Sequence, residues 1–296
     1  MTRRTRLRIA LAVATAGRPA ILRETLATLG RQVRAPDRLL VCAPSAAEAE
    51  GAAAVAPAVE TIVGARGLPL QRNAILDRCG DCDVVLFLDD DFVMAPTYLA
   101  ALEAIHRRHP DVAMVTGDVV LDGVTRGGVT VAAALAVLGD AAPTSGAAPP
   151  EEVYNGYGCN MSARIDLVAR HRIRFDETLP AYGWLEDVDF SRSLARYGRI
   201  VRSRDLRGVH LGVRTARQAG TRLGYSQIAN PIHILRKGNL TPRRALAQMG
   251  RNVSANLLRS LRPDPYVDRR GRVAGNVRAF LDLLRGRLAP DRALHL

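Results

Sequence analysis

The sequence has little lysine, little cysteine, few aromatic residues and no long apolar run, and each shortage narrows what the chain can be. Among 42 basic residues only Lys237 is a lysine. A GC-rich genome would write arginine for lysine without any functional cause, although it would not place the charge unevenly. Four cysteines, at 42, 79, 82 and 159, are too few for a disulfide-built scaffold and are expected as free thiols of a reducing cytoplasm. Aromatic residues make up 4% of the chain, and a single tryptophan stands at 184. No run of about 18 or more apolar residues occurs, which excludes a transmembrane helix.

What is present is the composition of a soluble globular protein: 296 residues, 48% hydrophobic and 24% charged. That length suits one large α/β domain with appendages, or two ordinary domains. The formal charge is 42 − 29 = +13, and it is unevenly placed. Residues 1–190 hold 19 arginines and 24 acids, a net of −5, whereas residues 191–296 hold 23 basic and 5 acidic residues, a net of +18. A chain so divided calls for an anionic partner of its last third: a nucleic acid, a phospholipid surface or a phosphate-bearing substrate. Nucleic acid is disfavoured, because the basic third has neither interleaved aromatics for base stacking nor zinc-finger spacing.

The periodicity predicts strands at Ile9–Ala14, Arg38–Cys42, Glu60–Val63, Asp83–Leu88 and Val112–Gly117. Helices are expected at Pro19–Gln32, Ala46–Ala56, within Gly67–Arg78 and at Pro96–His109. Strands alternating with helices at this spacing argue for an open, doubly wound α/β sheet over the first 120 residues. The basic start followed by Ile9–Ala14 is therefore expected to be a first core strand rather than a signal peptide. Residues 123–152 are rich in Gly, Ala, Thr and Pro, a candidate mobile loop or acceptor-side insertion, with Ala141–Pro150 expected as an exposed loop near their end. From Pro242 the chain is expected to be helical, with one apolar stripe at Leu246, Met249, Val253, Leu257 and Leu261. A second lies at Val273, Val277, Phe280, Leu284 and Leu288.

Three constellations carry chemistry. Asp89, Asp90 and Asp91 close the apolar strand Leu86-Phe-Leu, where open α/β sheets place their ligand crevice. Carboxylates crowded there either hold a divalent cation, Mn²⁺ or Mg²⁺, or cap the helix that follows. Glu186, Asp187 and Asp189 open a helix after Gly183-Trp-Leu. They are either dipole caps or include a general base beside a stacking face offered by Trp184. His210, in Gly208-Val-His-Leu-Gly212, is either a structural histidine or the imidazole of a metal shell. Cys79-Gly-Asp-Cys82 has no second pair for zinc and reads as helix-end cysteines.

In order, the segments Thr15-Ala-Gly-Arg-Pro19, Gly67-Leu-Pro-Leu-Gln-Arg-Asn73, Phe87-Leu-Asp-Asp-Asp91, Gly158-Cys-Asn-Met-Ser162, Phe175-Asp-Glu177, Glu186-Asp-Val-Asp189 and His210 resemble a family 2 glycosyltransferase with the GT-A fold. The stretch Gly183-Trp-x-Glu-Asp-x-Asp189 is also similar to the galactosyltransferase-like C-terminal motif of related enzymes. The resemblance covers about residues 8–212. It implies a GT-A catalytic domain over 1–212, built on an open mixed sheet flanked by helices, with a basic, mainly helical extension over 213–296. It further implies inverting, metal-dependent transfer from a nucleotide-diphosphate sugar to a hydroxyl of a glycan or lipid-linked acceptor, as in polysaccharide or glycolipid synthesis. By that resemblance Asp91, Asp89 and His210 hold Mn²⁺ or Mg²⁺. Thr15, Arg18, Arg72, Asn73, Asp89, Asp90 and Asn160 serve the donor, Asp187 is the base with Glu186 as runner-up, and Trp184 meets the acceptor.

One departure stands out: the second strand ends in Leu40-Val-Cys-Ala-Pro-Ser45, without the acid that many relatives use on the nucleoside. UDP, GDP and dTDP therefore stay equally open. A retaining transferase or a nucleotidyltransferase on a similar frame is the enzymatic alternative. A non-enzymatic nucleic-acid binder is the alternative from another class. The arginine-rich C-terminal helices either rest on an anionic membrane at the inner face of the plasma membrane, pack on the core or a second subunit, or are solvated. Arg236, Lys237 and Asn239 are further candidates for diphosphate contact.

Overall fold

The computed structural model describes residues 6–55, 59–124, 127–139, 149–213, 219–262 and 267–296. The basic head before Arg6, most of the expected loop at Ala141–Pro150, and Arg214 and Arg217 lie outside them. The chain divides into two compact units: residues 1–66, 70–174 and 193–216, and residues 67–69, 175–192 and 217–296.

The first unit is built on β1 (Ile9–Ala14), α1 (Pro19–Ala27), β2 (Arg38–Ala43), the short α2 (Ala52–Val55) and β3 (Val59–Val63). Next come α3 (Leu68–Leu76), β4 (Val84–Asp89), β5 (Phe92–Met94), α4 (Tyr98–Arg108), β6 (Val112–Asp122) and α5 (Val131–Leu138). It ends with β7 (Glu151–Glu152), β8 (Asn160–Arg164), α6 (Ile165–Arg170) and, after the helix α7 (Glu186–Leu194), β9 (Arg199–His210). The strands form one sheet in the order β3-β2-β1-β4-β8-β6-β9-β5, with β7 paired to β9. β1 to β4 run parallel, and β8 enters antiparallel between β4 and β6, which makes the sheet mixed. Ile9, Leu11, Val13, Val84, Leu86 and Leu88 are buried against Leu22 and Leu26 of α1 and Leu99 and Leu102 of α4. Each such side chain contributes about 1.5–3 kcal/mol through burial.

Two expected helices come out shorter. The one opened by Pro19 stops at Ala27 and tightens into a 3₁₀ turn over Thr28–Arg31. The Ala46–Ala56 segment breaks into a 3₁₀ turn (Ala47–Ala49) and α2, because Gly51 adopts φ +81° between them, a left-handed conformation that ends a helix. The strand expected over Val112–Gly117 runs on to Asp122.

The second unit carries α8 (Gly220–Arg236), α9 (Pro242–Ser260) and α10 (Arg269–Leu284). Here the expected apolar stripes are only partly inward. Met249 and Val253 pack on Tyr225, Ile228 and Ala279, but Leu246 is 66%, Leu261 80% and Leu284 83% exposed. α8 and α10 approach each other closely. A Cβ on Gly224 would lie 2.1 Å from the carbonyl oxygen of Arg272, and one on Gly275 would lie 2.1 Å from that of Thr221. Small and amide residues line this contact, with Asn276 Nδ2 donating to the Gly224 carbonyl (2.7 Å), and Asn256 of α9 joins α8 through Nδ2 on Gln227 Oε1 (2.7 Å).

Candidate active site

Strand register assembles the first constellation. β4 ends on Asp89, and β1 pairs with it so that Ala14 stands beside Asp89. That brings Thr15 next to Asp90, whose Oδ2 accepts its hydroxyl at 2.6 Å. The turn through Asp90 and Asp91 leads into β5, which pairs antiparallel with β9 and sets Phe92 opposite His210. β8 places Asn160 opposite Leu88.

The resulting cluster is buried and densely charged. His210 Nε2 lies 3.4 Å from Asp91 Oδ1 and 3.8 Å from Asp89 Oδ2. Arg18, at the entrance of α1, ion-pairs with both oxygens of Asp90 and reaches Asp91 Oδ2 at 3.4 Å. That Oδ2 also accepts the amide of Val213 at 2.9 Å. Arg72, fully buried on α3, donates to the carbonyl of Gly158 (2.7 Å) and to Asp89 Oδ1 (3.3 Å), with its guanidinium over the Phe87 ring.

Burial disfavours every charge here, and partners decide which survive. Burial raises the Asp90 carboxyl to about 7 against the pull of Arg18 and Thr15. Asp91, although buried, is held below the usual carboxylate range by His210, Arg18 and the Val213 amide. Burial opposes the charge on His210, yet Asp122, Asp91 and Asp89 together push its imidazole up to about 10.

The donor set fits a divalent cation. One ligand atom each from Asp89, Asp91 and His210 lies within 4.8 Å of the others. Asp91 Oδ1 is buried and accepts no hydrogen bond, an open acceptor that a cation would satisfy. Two carboxylates with one imidazole suit Mn²⁺, and Mg²⁺ through the carboxylates. Asn160, fully buried, accepts from Thr116 Oγ1 (2.7 Å) and the Gly117 amide (3.3 Å), while its Nδ2 has no acceptor. Asn73 is buried on α3 beside Arg72, and its carbonyl accepts from Arg174 (3.4 Å).

Two acids escaped the sequence reading. Asp122 meets His210 Nδ1 at 3.3 Å; a strand followed beyond Gly117 to its polar end was the available signal. Glu48, in the turn after β2, accepts the Gly17 amide (2.5 Å) and Arg66 (2.7 Å). A carboxylate therefore does stand beside the Thr15–Arg18 loop, although β2 itself ends without one.

Glu186, Asp187 and Trp184 belong to the second unit. Trp184 sits between Gly183 (φ +64°) and Leu185 (φ +70°), a strained conformation for leucine of the kind stored at functional sites. The Trp184 carbonyl accepts Asn230 Nδ2 at 2.8 Å, and its indole N–H is buried without an acceptor. α7 starts directly after, with Glu186 buried and Asp187 half-buried, its Oδ1 accepting the Val188 amide. The third acid, Asp189, is fully buried and held by Lys237 Nζ (2.6 Å) and Asn239 Nδ2 (2.7 Å). Lys237 also bonds Asp176 (2.5 Å), which takes a further contact from His233 Nε2 (2.8 Å) and is held far below the usual carboxylate range by them despite its burial. Lys237 and Asn239 thus brace α7. Tight stacking of Phe175 on Phe190, 4.0 Å between centroids, supports the same helix from its apolar side. The cysteines are free and buried, and burial pushes Cys79 up to about 12 and Cys82 to about 11, so the pair is neutral thiol.

No family sequence model matches this chain, and no curated protein matches it by sequence. Solved structures do match its fold. Residues 1–349 of S. aureus TarS in complex with UDP-GlcNAc superpose with a TM-score of 0.59 at 16% identity, covering 95% of this chain and 83% of that one. The mannosyltransferase PcManGT from Pyrobaculum calidifontis, in complex with GDP-Man and Mn²⁺, gives 0.56 at 14% identity, covering 98% and 86%. The chain spans 40% of the longer TarS chain. The likeness is one of fold: the open mixed sheet flanked by helices, expected as GT-A from the sequence, is the architecture shared with these proteins.

Proposed function

We propose that this chain is an inverting, metal-dependent glycosyltransferase of the family 2 type, moving a sugar from a nucleotide-diphosphate donor to a hydroxyl of a glycan or lipid-linked acceptor. The observation that carries the reading is the Asp89–Asp91–His210 cluster, in which Asp91 and His210 are buried and Asp91 Oδ1 is open. A divalent cation held there, Mn²⁺ or Mg²⁺, supplies charge neutralisation for the departing nucleoside diphosphate. Arg18 and Arg72 add fixed positive charge beside it, and Thr15, Asn73, Asp90 and Asn160 shape the donor side. Asp187 takes the proton of the acceptor hydroxyl as its oxygen bonds to the anomeric carbon and the carbon–phosphate-oxygen bond breaks. Glu186 orients the acceptor, and Trp184 offers it a ring face and an N–H donor.

Melting curves with UDP, GDP and dTDP, each with and without Mn²⁺, test this reading. A ligand at about 100 times its Kd stabilises by about 2.7 kcal/mol, which raises Tm by several degrees. One nucleotide is expected to do so only with Mn²⁺. No shift with any pair would sink the donor assignment.

We further assign the acceptor side to an anionic membrane surface. Among the described residues no helix is long and apolar enough to cross a bilayer. Leu246, Leu261 and Leu284 are nonetheless outward, interspersed with exposed Arg243, Arg251, Arg259, Arg262 and Arg285. Apolar side chains among cations suit an interface with acidic headgroups. Sedimentation with phosphatidylglycerol vesicles should bind the chain and lose it as salt rises. Equal binding to neutral vesicles, or none, would refute the assignment.

A further inference from the structure

The metal reading of Asp89, Asp91 and His210 leaves one question of geometry: what makes the His210 ring present Nε2, and not Nδ1, to the two aspartates. An imidazole offers a lone pair on one nitrogen only while the other carries the proton, so whatever accepts that proton chooses the ligating atom. We propose that Asp122 is the positioning residue that makes this choice, with Tyr157 holding Asp122 in turn.

The arrangement follows from the sheet. β6 and β9 run parallel, and their register ends with Asp122 beside His210. The two strand ends are clamped there, because the Gly123 amide donates to the His210 carbonyl at 2.8 Å. They approach so closely that a Cβ on Gly123 would lie 2.0 Å from the Leu211 carbonyl oxygen. Asp122 Oδ1 lies 3.3 Å from His210 Nδ1 and also accepts the Val124 amide at 3.0 Å. Its second oxygen accepts the Tyr157 hydroxyl at 3.2 Å. Tyr157 is itself fixed, its amide donating to Thr116 Oγ1 at 3.0 Å, and its ring stands edge-on to His210, 6.2 Å and 88° away. With Nδ1 facing Asp122 Oδ1 on this side at 3.3 Å, the ring leaves Nε2 toward Asp91 Oδ1 and Asp89 Oδ2, at 3.4 and 3.8 Å. Tyr157, Asp122 and His210 thus form a relay of position, set by backbone register and needing no contact between Asp122 and the ion.

Mn²⁺ titration of the full chain, with free Mn²⁺ counted by electron paramagnetic resonance, reads the effect without any activity. D122A is expected to bind Mn²⁺ about 10–100-fold more weakly, the usual cost of losing such an outer carboxylate. D122N, whose carbonyl can still accept from Nδ1–H, should recover part of the loss, and Y157F should weaken binding by less than D122A. Nitrogen-15 spectra of the histidines, with diamagnetic Zn²⁺ standing in for Mn²⁺ because it too takes an imidazole, should show a single Nδ1–H tautomer for His210, replaced by a mixture in D122A. A role confined to stability would lower Tm without moving the tautomer or the Kd of the folded fraction. Should D122A fail to fold, D122N and Y157F carry the test, and wild-type Kd values in both would overturn the proposal. Unchanged Mn²⁺ affinity in D122A, with binding abolished in D91A, would overturn it while the metal site stands. A wild-type chain that binds no Mn²⁺ would overturn both together.

Discussion

Asp91→Asn is expected to cut sugar transfer by about 10³-fold while the chain stays folded. The substitution keeps the shape of the side chain and removes one negative charge from the cluster. One carboxylate oxygen of Asp91 is occupied by the Val213 amide and Arg18, and the other is open toward His210. An amide keeping the first contact turns its NH₂ toward the cation position, where it repels instead of binding. Charge neutralisation at a leaving diphosphate is worth several kcal/mol, and about 4 kcal/mol corresponds to three decades in rate. Release of the nucleoside diphosphate at saturating Mn²⁺ measures it, with Tm as the control for folding. Near-wild-type turnover in a folded D91N protein would remove the metal from the mechanism.

The second large effect separates proton transfer from donor binding. Asp187→Asn should lower transfer by about 10²–10⁴-fold, the usual contribution of a positioned general base. It should leave the Mn²⁺-dependent stabilisation by nucleotide intact, since the donor-side residues all belong to the other unit. Glu186→Gln is the comparison. It is expected to raise KM for the acceptor more than it lowers kcat, and the reverse pattern would exchange the two roles. If D187N transfers as fast as wild type, neither the base assignment nor in-line displacement assisted by it survives.

How much of this was legible before folding depends on whether the signal was local. Leu86-Phe-Leu followed by three aspartates marks a strand end by itself, and His210 marks another. Their meeting needs β5 paired with β9, a register that no local pattern announces. β8 was equally hidden: an antiparallel strand inserted among parallel ones is a long-range choice, which is why an alternating strand–helix pattern implied a simpler sheet. Asp122 was missed because the apolar run is broken at Gly117-Asp118, beyond which β6 is only half-buried. The C-terminal stripes misled for another reason. Periodicity finds the apolar face of a helix, but contact between α8 and α10 was decided by glycines and asparagines that permit close approach.

The solitary lysine has a practical consequence for handling this protein. Lys237 offers the chain's one side-chain amine, and although burial works against its charge, Asp176 and Asp189 hold it protonated. Its raised pKa leaves less free amine than an ordinary lysine has, so acylating reagents and aldehydes should react with this site more slowly in the folded protein and faster once the helix brace opens. Amine labelling would then act as a single-site clock for local unfolding around α7, readable by mass spectrometry on one peptide.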